Sequence, residues 1–422
     1  MLREYLLVRD DHDVRGRKSL LPLFFLLSLA VVFEGFDTKL ASLVLPQLGD
    51  EFGVGPDVLF SMLSLLNSGM VLGVLLIPLA DRWGRRPIFL ICFGGYALFT
   101  VATVFATSPL LFGGIQFVAK MLMVSQLALA YVILSEEFPA QVRGRANGLL
   151  GAFASVGAAL PAWFLAPLES SGIGWRGLFL LGGVPLLLLP LYFRRLPETA
   201  LFESLRAADG RVRLAVMLRK LLGPQTRRRF LGITIVWFLI NFWTSVAMFS
   251  FTFYVFNERG WTAEDLQWVP LAAVPFAFMG YALAGVAMDL LGRRCAASLF
   301  LVGGTVAALC CYRSMGYWSI VAAWTALQTL QGVWTIAMTI TAELFETEVR
   351  ASANALAHNL LGRWGMVVGP LAVGFLSEPL GSTSAAVTLL VFANLLALPV
   401  LYWMVPETRG VELDLLSRPA SS

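Results

Sequence analysis

The sequence predicts an all-α membrane protein of twelve transmembrane helices in two parallel six-helix repeats. Three observations predict it. Of 422 residues, 58% are apolar and 14% charged, where soluble domains carry about a quarter charged residues. The apolar residues form continuous runs, which excludes a soluble enzyme, a disordered chain and a coiled coil, and also a membrane β-barrel, whose strands alternate. Finally, short polar motifs recur at nearly one offset, as in a duplicated chain.

Twelve segments are read, at residues 20–46, 58–80, 87–107, 110–135, 147–168, 175–193, 230–256, 265–288, 295–312, 316–341, 353–377 and 383–405. The first follows 18 polar and charged residues with no cleavage-like site, so it is expected to be a retained helix rather than a signal peptide. The second ends at Asp81-Arg82-Trp83-Gly84-Arg85-Arg86, and the eighth ends 208 residues later at Asp289-Leu290-Leu291-Gly292-Arg293-Arg294. Glu136 through Arg143 to Asn147 follows the fourth, and Glu343 through Arg350 to Asn354 follows the tenth, 207 residues on. Pro197-Glu198-Thr199 follows the sixth, and Pro406-Glu407-Thr408 the twelfth, 209 on. An even number of helices per copy keeps both copies in one orientation.

The expected domains are residues 1–193 (helices 1 to 6), a linker at 194–229, and 230–422 (helices 7 to 12) with a short tail. Within the linker, Leu214, Met217, Leu218, Leu221 and Leu222 recur at helical spacing among Arg213, Arg219 and Lys220. They read either as an amphipathic surface helix or as a solvated linker. Of the Lys and Arg residues, 25 fall on the side of the termini and linker and three, Arg176, Arg259 and Arg313, on the other. That split places both termini and the linker in the cytoplasm. The absence of an Asn-x-Ser/Thr sequon suits a bacterial inner membrane. Cys92, Cys295, Cys310 and Cys311 show no metal spacing and read as packing thiols.

These motifs resemble the major facilitator superfamily over nearly the whole chain. The two Asp-x-x-Gly-Arg-Arg loops carry the resemblance most specifically. Pro406-Glu407-Thr408-Arg409-Gly410 is similar to the sugar-porter tail motif. Glu34-Gly35-Phe36-Asp37 is similar to an Asp-Gly-x-Asp element of aromatic-acid/proton symporters, with Glu in the first place. The family sets a glycine four residues before the loop Asp for close helix approach. Gly285 matches it, whereas Ile77-Pro78 stands in the first copy. The helix 7 stretch Trp237–Trp243 lacks the Gln-Gln pair of sugar porters. Leu160-Pro161 and Phe164-Leu165 depart from the helix 5 motif of drug antiporters. The resemblance implies alternating access by rocking of two halves.

A charge deep in a bilayer costs several kcal/mol unless it is paired or wet. Glu34 and Asp37, at i and i+3, share one face of helix 1. Two adjacent carboxylates in low dielectric raise at least one pKa toward neutrality, as a proton-coupling site requires; the alternative is a structural polar pair. Lys39 can snorkel outward. Lys120, in helix 4, lies one turn beyond Gln116, where symporters of the resembled group often hold an arginine. It is expected to pair with Asp37 or Glu34, or else to snorkel. Arg363 in helix 11, with Asn359 one turn before it, suits a carboxylate through its two-pronged guanidinium. His358 reads as a proton relay or as polar packing. Asn67, Asn241, Gln328 and Gln331 extend the expected cavity. Trp237, Trp243, Trp324 and Trp334 can stack a ring, although most tryptophans are expected at lipid or interface.

At the cytoplasmic ends, Asp81 with Arg85, Glu136 with Arg143, Asp289 with Arg293 and Glu343 with Arg350 are expected to form a gate of ion pairs. The expected function is secondary active transport, H⁺-coupled symport of a small organic anion by a monomer in the plasma membrane. The expected partners are the solute, H⁺ and the bilayer, with no nucleic acid, metal or cofactor. Sugar uptake, multidrug efflux and a membrane sensor are the alternatives. The chain holds no Walker-type phosphate loop and no catalytic constellation, which argues against a pump driven by ATP and against an enzyme.

Overall fold

The structure is a computed structural model that describes residues 20–199, 202–203, 223, 226–345 and 353–409. The basic residues before Leu20, the segment at 214–222 and Arg350 lie outside the described residues. Among the described residues, eleven helices are long and apolar enough to cross a membrane: α1 (Leu21–Leu43), α2 (Pro56–Trp83), α3 (Arg85–Phe105), α4 (Pro109–Glu137), α5 (Arg145–Ser170), α6 (Trp175–Arg195), α7 (Arg227–Asn257), α8 (Ala263–Leu291), α9 (Arg293–Arg313), α11 (Ala355–Ser377) and α12 (Thr383–Met404). The tenth expected segment, α10, comes in two pieces, Tyr317–Leu330 and Val333–Leu344. They meet at Gln331-Gly332, where a Cβ on Gly332 would run into the Gly280 carbonyl and the Phe300 ring. No strand occurs among the described residues.

Breaks in the other helices have local causes. Pro78 has no N–H to give the preceding turn, and α2 passes through a 3₁₀ turn at Val74–Leu76 just before it. In α11 the segment Ala355–Gly362 is a π-helix. Its last bond runs from the Arg363 N–H to the His358 carbonyl at 2.9 Å, five residues back. Such single turns recur at functional sites.

Two compact units are present, one drawn from residues 1–41 and 72–210, the other from residues 42–71 and 211–422. In the first, α1 and α5 touch backbone to backbone. A Cβ on Gly35 would fall on the Ala154 carbonyl, and one on Gly157 on the Val32 carbonyl. Small residues allow such approach where lipid supplies no hydrophobic drive between helices. Gly73 likewise lies on the Met121 carbonyl of α4. In the second unit Gly280 of α8 lies on the Thr329 carbonyl of α10, and Gly365 of α11 on the Phe238 carbonyl of α7. Gly73 with Met121 and Gly280 with Thr329 stand 207 and 208 residues apart, so the duplication read from loop motifs is also built into helix crossings. A Cβ on Gly285, four residues before Asp289, would meet nothing within 4 Å.

The second unit also includes the short helix Leu45–Phe52 and the first part of α2. Phe60 meets Phe253 edge-on at 5.6 Å, and the Asn67 amide donates to the Met366 carbonyl at 3.0 Å. Asn67 is therefore a packing cross-link to α11 rather than a cavity group. Outward faces carry large apolar side chains such as Phe105, Leu187 and Phe375, a surface suited to lipid.

Candidate functional site

In the first unit the deep charges of α1 and α4 meet. Lys120 Nζ lies 3.1 Å from Asp37 Oδ2, with the two side chains 0% and 1% exposed. The ammonium also donates to the Asp37 backbone carbonyl. Thr100 Oγ1 on α3 donates to Asp37 Oδ1 at 2.9 Å. Gln116, one turn before Lys120, donates to Thr103 Oγ1 at 2.8 Å. The pairing expected of Lys120 is present, with Asp37. Glu34, also buried, accepts from Thr38 Oγ1 at 3.0 Å. Lys39 is half-buried. The geometry gives Asp37 one cation and one hydroxyl as partners. Removing either ionic partner of such a buried pair leaves an uncompensated charge.

Sequence reasoning missed Thr100 and Thr38. A threonine in an apolar helix usually bonds the carbonyl four residues back, as Thr341 does to Ala337, so its residue type carries no signal of a carboxylate partner.

In the second unit an aromatic and amide cluster joins α7, α10 and α11. The His358 ring stacks on Trp237 at 3.9 Å and 26°, with the Trp334 edge 5.2 Å away. Trp237 Nε1 donates to Thr341 Oγ1 at 2.9 Å, and Trp334 Nε1 to Thr244 Oγ1 at 3.2 Å. Thr244 in turn donates to Gln331 Oε1 at 3.3 Å. The Asn241 amide donates to the Trp237 carbonyl at 2.7 Å. Asn241 Oδ1, Gln331 Nε2 and His358 Nε2 remain buried without a hydrogen bond. Together they offer an acceptor, a donor and an imidazole nitrogen beside three rings. Arg363 follows the π-helical turn directly. Gln328 and Asn359 are half-buried, and no hydrogen bond joins them to this cluster.

Trp237, Trp243 and Trp324, read as able to stack a ring, are buried. Trp318 and Trp403, by contrast, are exposed.

Each Asp-x-x-Gly-Arg-Arg turn anchors the same network within its own unit. Arg85 pairs with Asp81 at 3.0 Å and Glu136 at 3.1 Å. Glu198 accepts from the Arg85 and Arg86 backbone N–H groups at 2.9 and 3.2 Å, and Thr199 donates to Glu136. In the second copy Arg293 pairs with Asp289 at 3.9 Å and Glu343 at 2.8 Å. Glu407 accepts from the Arg293 and Arg294 N–H groups at 2.9 Å each, and Thr408 donates to Glu343. The turn glycines take φ of +110° at Gly84 and +87° at Gly292, a region side chains disfavour. A Cβ on Gly84 would also strike Glu198.

The expected Glu136–Arg143 pair is corrected here: Glu136 bonds Arg85, and the Arg143 guanidinium donates to the Phe138 carbonyl at 3.2 Å. The Arg143 side chain reaches back from the first turn of its helix to that carbonyl, while Arg85 already holds the carboxylate. Glu343 bonds Arg293, and its expected partner Arg350 lies outside the described residues. The Pro-Glu-Thr motifs, visible in the sequence only as repeats, prove to supply anions to the N-termini of α3 and α9.

Burial works to raise the Glu407 carboxyl, but N–H groups of Arg294, Arg293, Arg409 and Thr408 outweigh it and hold it below its ordinary value. A depressed carboxyl stabilises the fold fully above the ordinary glutamate range, and loses that contribution as pH falls through its lowered value. Glu407→Gln is expected to lower stability by about 1 kcal/mol at neutral pH, as loss of a helix cap does. Melting curves of both proteins across pH should converge in acid. A constant gap at all pH values would assign the loss to packing.

The model of the Major Facilitator Superfamily matches residues 27–281 and 244–420. The chain is 28% identical over 396 residues to a candidate niacin/nicotinamide transporter of Bacillus subtilis (strain 168), covering 92% of this chain and 96% of that protein. It is 27% identical over 365 residues to the 3-(3-hydroxy-phenyl)propionate transporter of Escherichia coli (strain K12), covering 82% and 84%. Among solved structures, the inward-open xylose transporter of E. coli superposes with a TM-score of 0.75 at 17% identity, over 94% of this chain and 99% of that one.

Proposed function

The chain belongs to the major facilitator superfamily and is a multi-pass membrane transporter rather than an enzyme; from this premise we propose that it is a proton-coupled symporter of aromatic or heteroaromatic carboxylates. The Lys120–Asp37 pair carries the coupling half of this reading. An acid and an amine buried at 1% and 0% exposure inside apolar helices need a reason to persist against their desolvation. Protonating Asp37 cancels its charge and releases Lys120, so the pair is a two-state element that one proton can switch.

The substrate half rests on the Trp237–His358–Trp334 rings, the unbonded Asn241 and Gln331 atoms beside them, and Arg363. Planar rings stack on indole faces, and a guanidinium fits a carboxylate bidentately. Relatives named for niacin, gallate and 4-hydroxybenzoate transport support the same class. The two halves, 1–193 and 230–422, work by alternating access, and each carries its own Asp-x-x-Gly-Arg-Arg network. Both termini face the cytoplasm of a bacterial cell whose plasma membrane holds the protein as a monomer.

The test is uptake into proteoliposomes with an imposed pH gradient. Nicotinate or 4-hydroxybenzoate should accumulate above the outside concentration, bring protons with it, and stop when a protonophore collapses the gradient. Accumulation that follows a Na⁺ gradient and ignores pH would overturn the coupling ion. Xylose uptake with no response to aromatic acids would overturn the substrate class.

A further inference from the structure

Two amides in the ring cluster of the second unit have their polarity fixed by their partners. Asn241 and Thr244, at i and i+3, share one face of α7. The Asn241 amide bonds the Trp237 carbonyl at 2.7 Å. A carbonyl only accepts, so the NH₂ end sits there and Oδ1 is the end left over. Gln331 is fixed through a chain of bonds. The Trp334 indole N–H can only donate, and it donates to Thr244 Oγ1 at 3.2 Å. The Thr244 hydroxyl has one hydrogen to pass on, and its one acceptor among the described residues is Gln331 Oε1 at 3.3 Å. Gln331 therefore turns its NH₂ away from Thr244. The result is one acceptor, Asn241 Oδ1, and one donor, Gln331 Nε2, both buried and both unbonded. They are anchored to neighbouring rings, since Trp237 and Trp334 meet edge-on at 5.5 Å.

Polar groups that only join helices in this unit look different. Ser245, also on α7, contacts the Phe242 and Gly365 carbonyls at 2.9 and 3.3 Å and so ties α7 to α11. Asn394 of α12 also leaves Oδ1 unbonded, but the residues its amide bonds, Leu301 and Thr305, bring no unpaired donor with them. A lone unpaired acceptor complements nothing in particular. An acceptor and a donor of fixed polarity, on α7 and α10 beside stacked rings, complement a group that both donates and accepts. A phenolic hydroxyl is such a group. Its hydrogen goes to Asn241 Oδ1, and its oxygen takes the Gln331 N–H. A pyridine nitrogen only accepts, so it would satisfy Gln331 and leave Asn241 unpaired. An unsubstituted ring would leave both unpaired.

We propose that Asn241 and Gln331 together read a ring hydroxyl, so that the preferred substrates are hydroxyaryl carboxylates rather than pyridine carboxylates or benzoate. This inference rests on the reading of the Trp237–His358–Trp334 cluster as the site of the substrate ring. Sites built to hydrogen-bond a substrate hydroxyl reject analogues that lack it far more strongly than apolar pockets reject a missing methylene.

The experiment is competition against uptake of labelled 4-hydroxybenzoate into proteoliposomes. The competitors are 3- and 4-hydroxybenzoate, 4-methoxybenzoate, benzoate and nicotinate. At least one hydroxybenzoate should compete about 10- to 100-fold better than benzoate, the range set by leaving buried polar atoms unpaired. Methoxybenzoate accepts but cannot donate, and it should lose most of that advantage, as should nicotinate. In Asn241→Leu, which keeps the bulk and removes the acceptor, the gap between hydroxybenzoate and benzoate should close. Hydroxybenzoates that compete no better than benzoate or nicotinate overturn the proposal, and the wild-type series decides this even if Asn241→Leu does not fold. An unchanged gap in folded Asn241→Leu protein overturns it too. If every aromatic acid competes alike, the hydroxyl reading alone is wrong. If labelled 4-hydroxybenzoate is not taken up and none of the acids raises the melting temperature of the purified protein, the ring-site reading is wrong with it.

Discussion

Asp37→Asn will abolish substrate accumulation driven by a pH gradient, by about two orders of magnitude or more, while counterflow exchange survives. An amide can neither load nor release a proton, yet it fills the same space and still offers Thr100 an acceptor oxygen. The structure adds a second consequence that the sequence alone did not reveal. With Asp37 neutral, Lys120 keeps only a carbonyl and the Met123 sulfur nearby, and an unpaired buried ammonium is strongly destabilising, by about 3–5 kcal/mol. The melting temperature of Asp37→Asn should therefore drop markedly, and the double variant with Lys120→Met should recover much of it without recovering accumulation. Recovery of both would make the pair structural. Glu34→Gln should slow coupling less, since Lys120 stays paired with Asp37 and one member of a coupled set can carry the proton for both. Substrate-induced proton uptake measured across pH decides the matter: a wild-type proton-to-substrate ratio in Asp37→Asn would end the symport mechanism at this residue.

The fold was largely legible because bilayer physics writes it in long strokes. Continuous apolar runs, the Lys and Arg asymmetry and the repeated loop motifs predict helix number and duplication, and the glycine crossings at Gly73 and Gly280 repeat the same register. What composition could not show was where a helix changes its winding. Nothing in Ala355–Gly362 marks a π-helix, and the break in α10 depends on Gly332 fitting against Gly280, a contact between residues 52 apart in the chain. The candidate site was legible wherever a full charge had to be explained in lipid: Glu34, Asp37, Lys120 and Arg363 stood out for their cost. Neutral partners did not. Thr100, Thr38 and Thr244 act through bonds that depend on which helix packs where. Pairing across motifs failed for the same reason. Arg143 is the nearest arginine in sequence to Glu136, but α3 brings Arg85 to that carboxylate.

Arg363→Lys should raise the apparent KM for a carboxylate substrate about 10- to 100-fold, the range that losing a charge-assisted contact of about 1.5–3 kcal/mol spans. Lysine keeps the charge and so the long-range attraction, but a point charge replaces a planar fork. The π-helical turn fixes where that fork starts, since the Arg363 N–H is bonded to the His358 carbonyl at 2.9 Å and the His358 ring is held by Trp237. A four-carbon ammonium from the same backbone position reaches less far and cannot make two parallel bonds. The comparison that isolates the fork is between nicotinate and nicotinamide, which share a ring and differ in charge. Competition against labelled nicotinate should show wild type favouring the acid, and Arg363→Lys narrowing the gap by weakening the acid while the amide is little changed. Equal weakening of both would mean that Arg363 shapes the cavity rather than reading the carboxylate. An unchanged affinity for both would move the carboxylate to another cation, and Lys39 would be the next residue to vary.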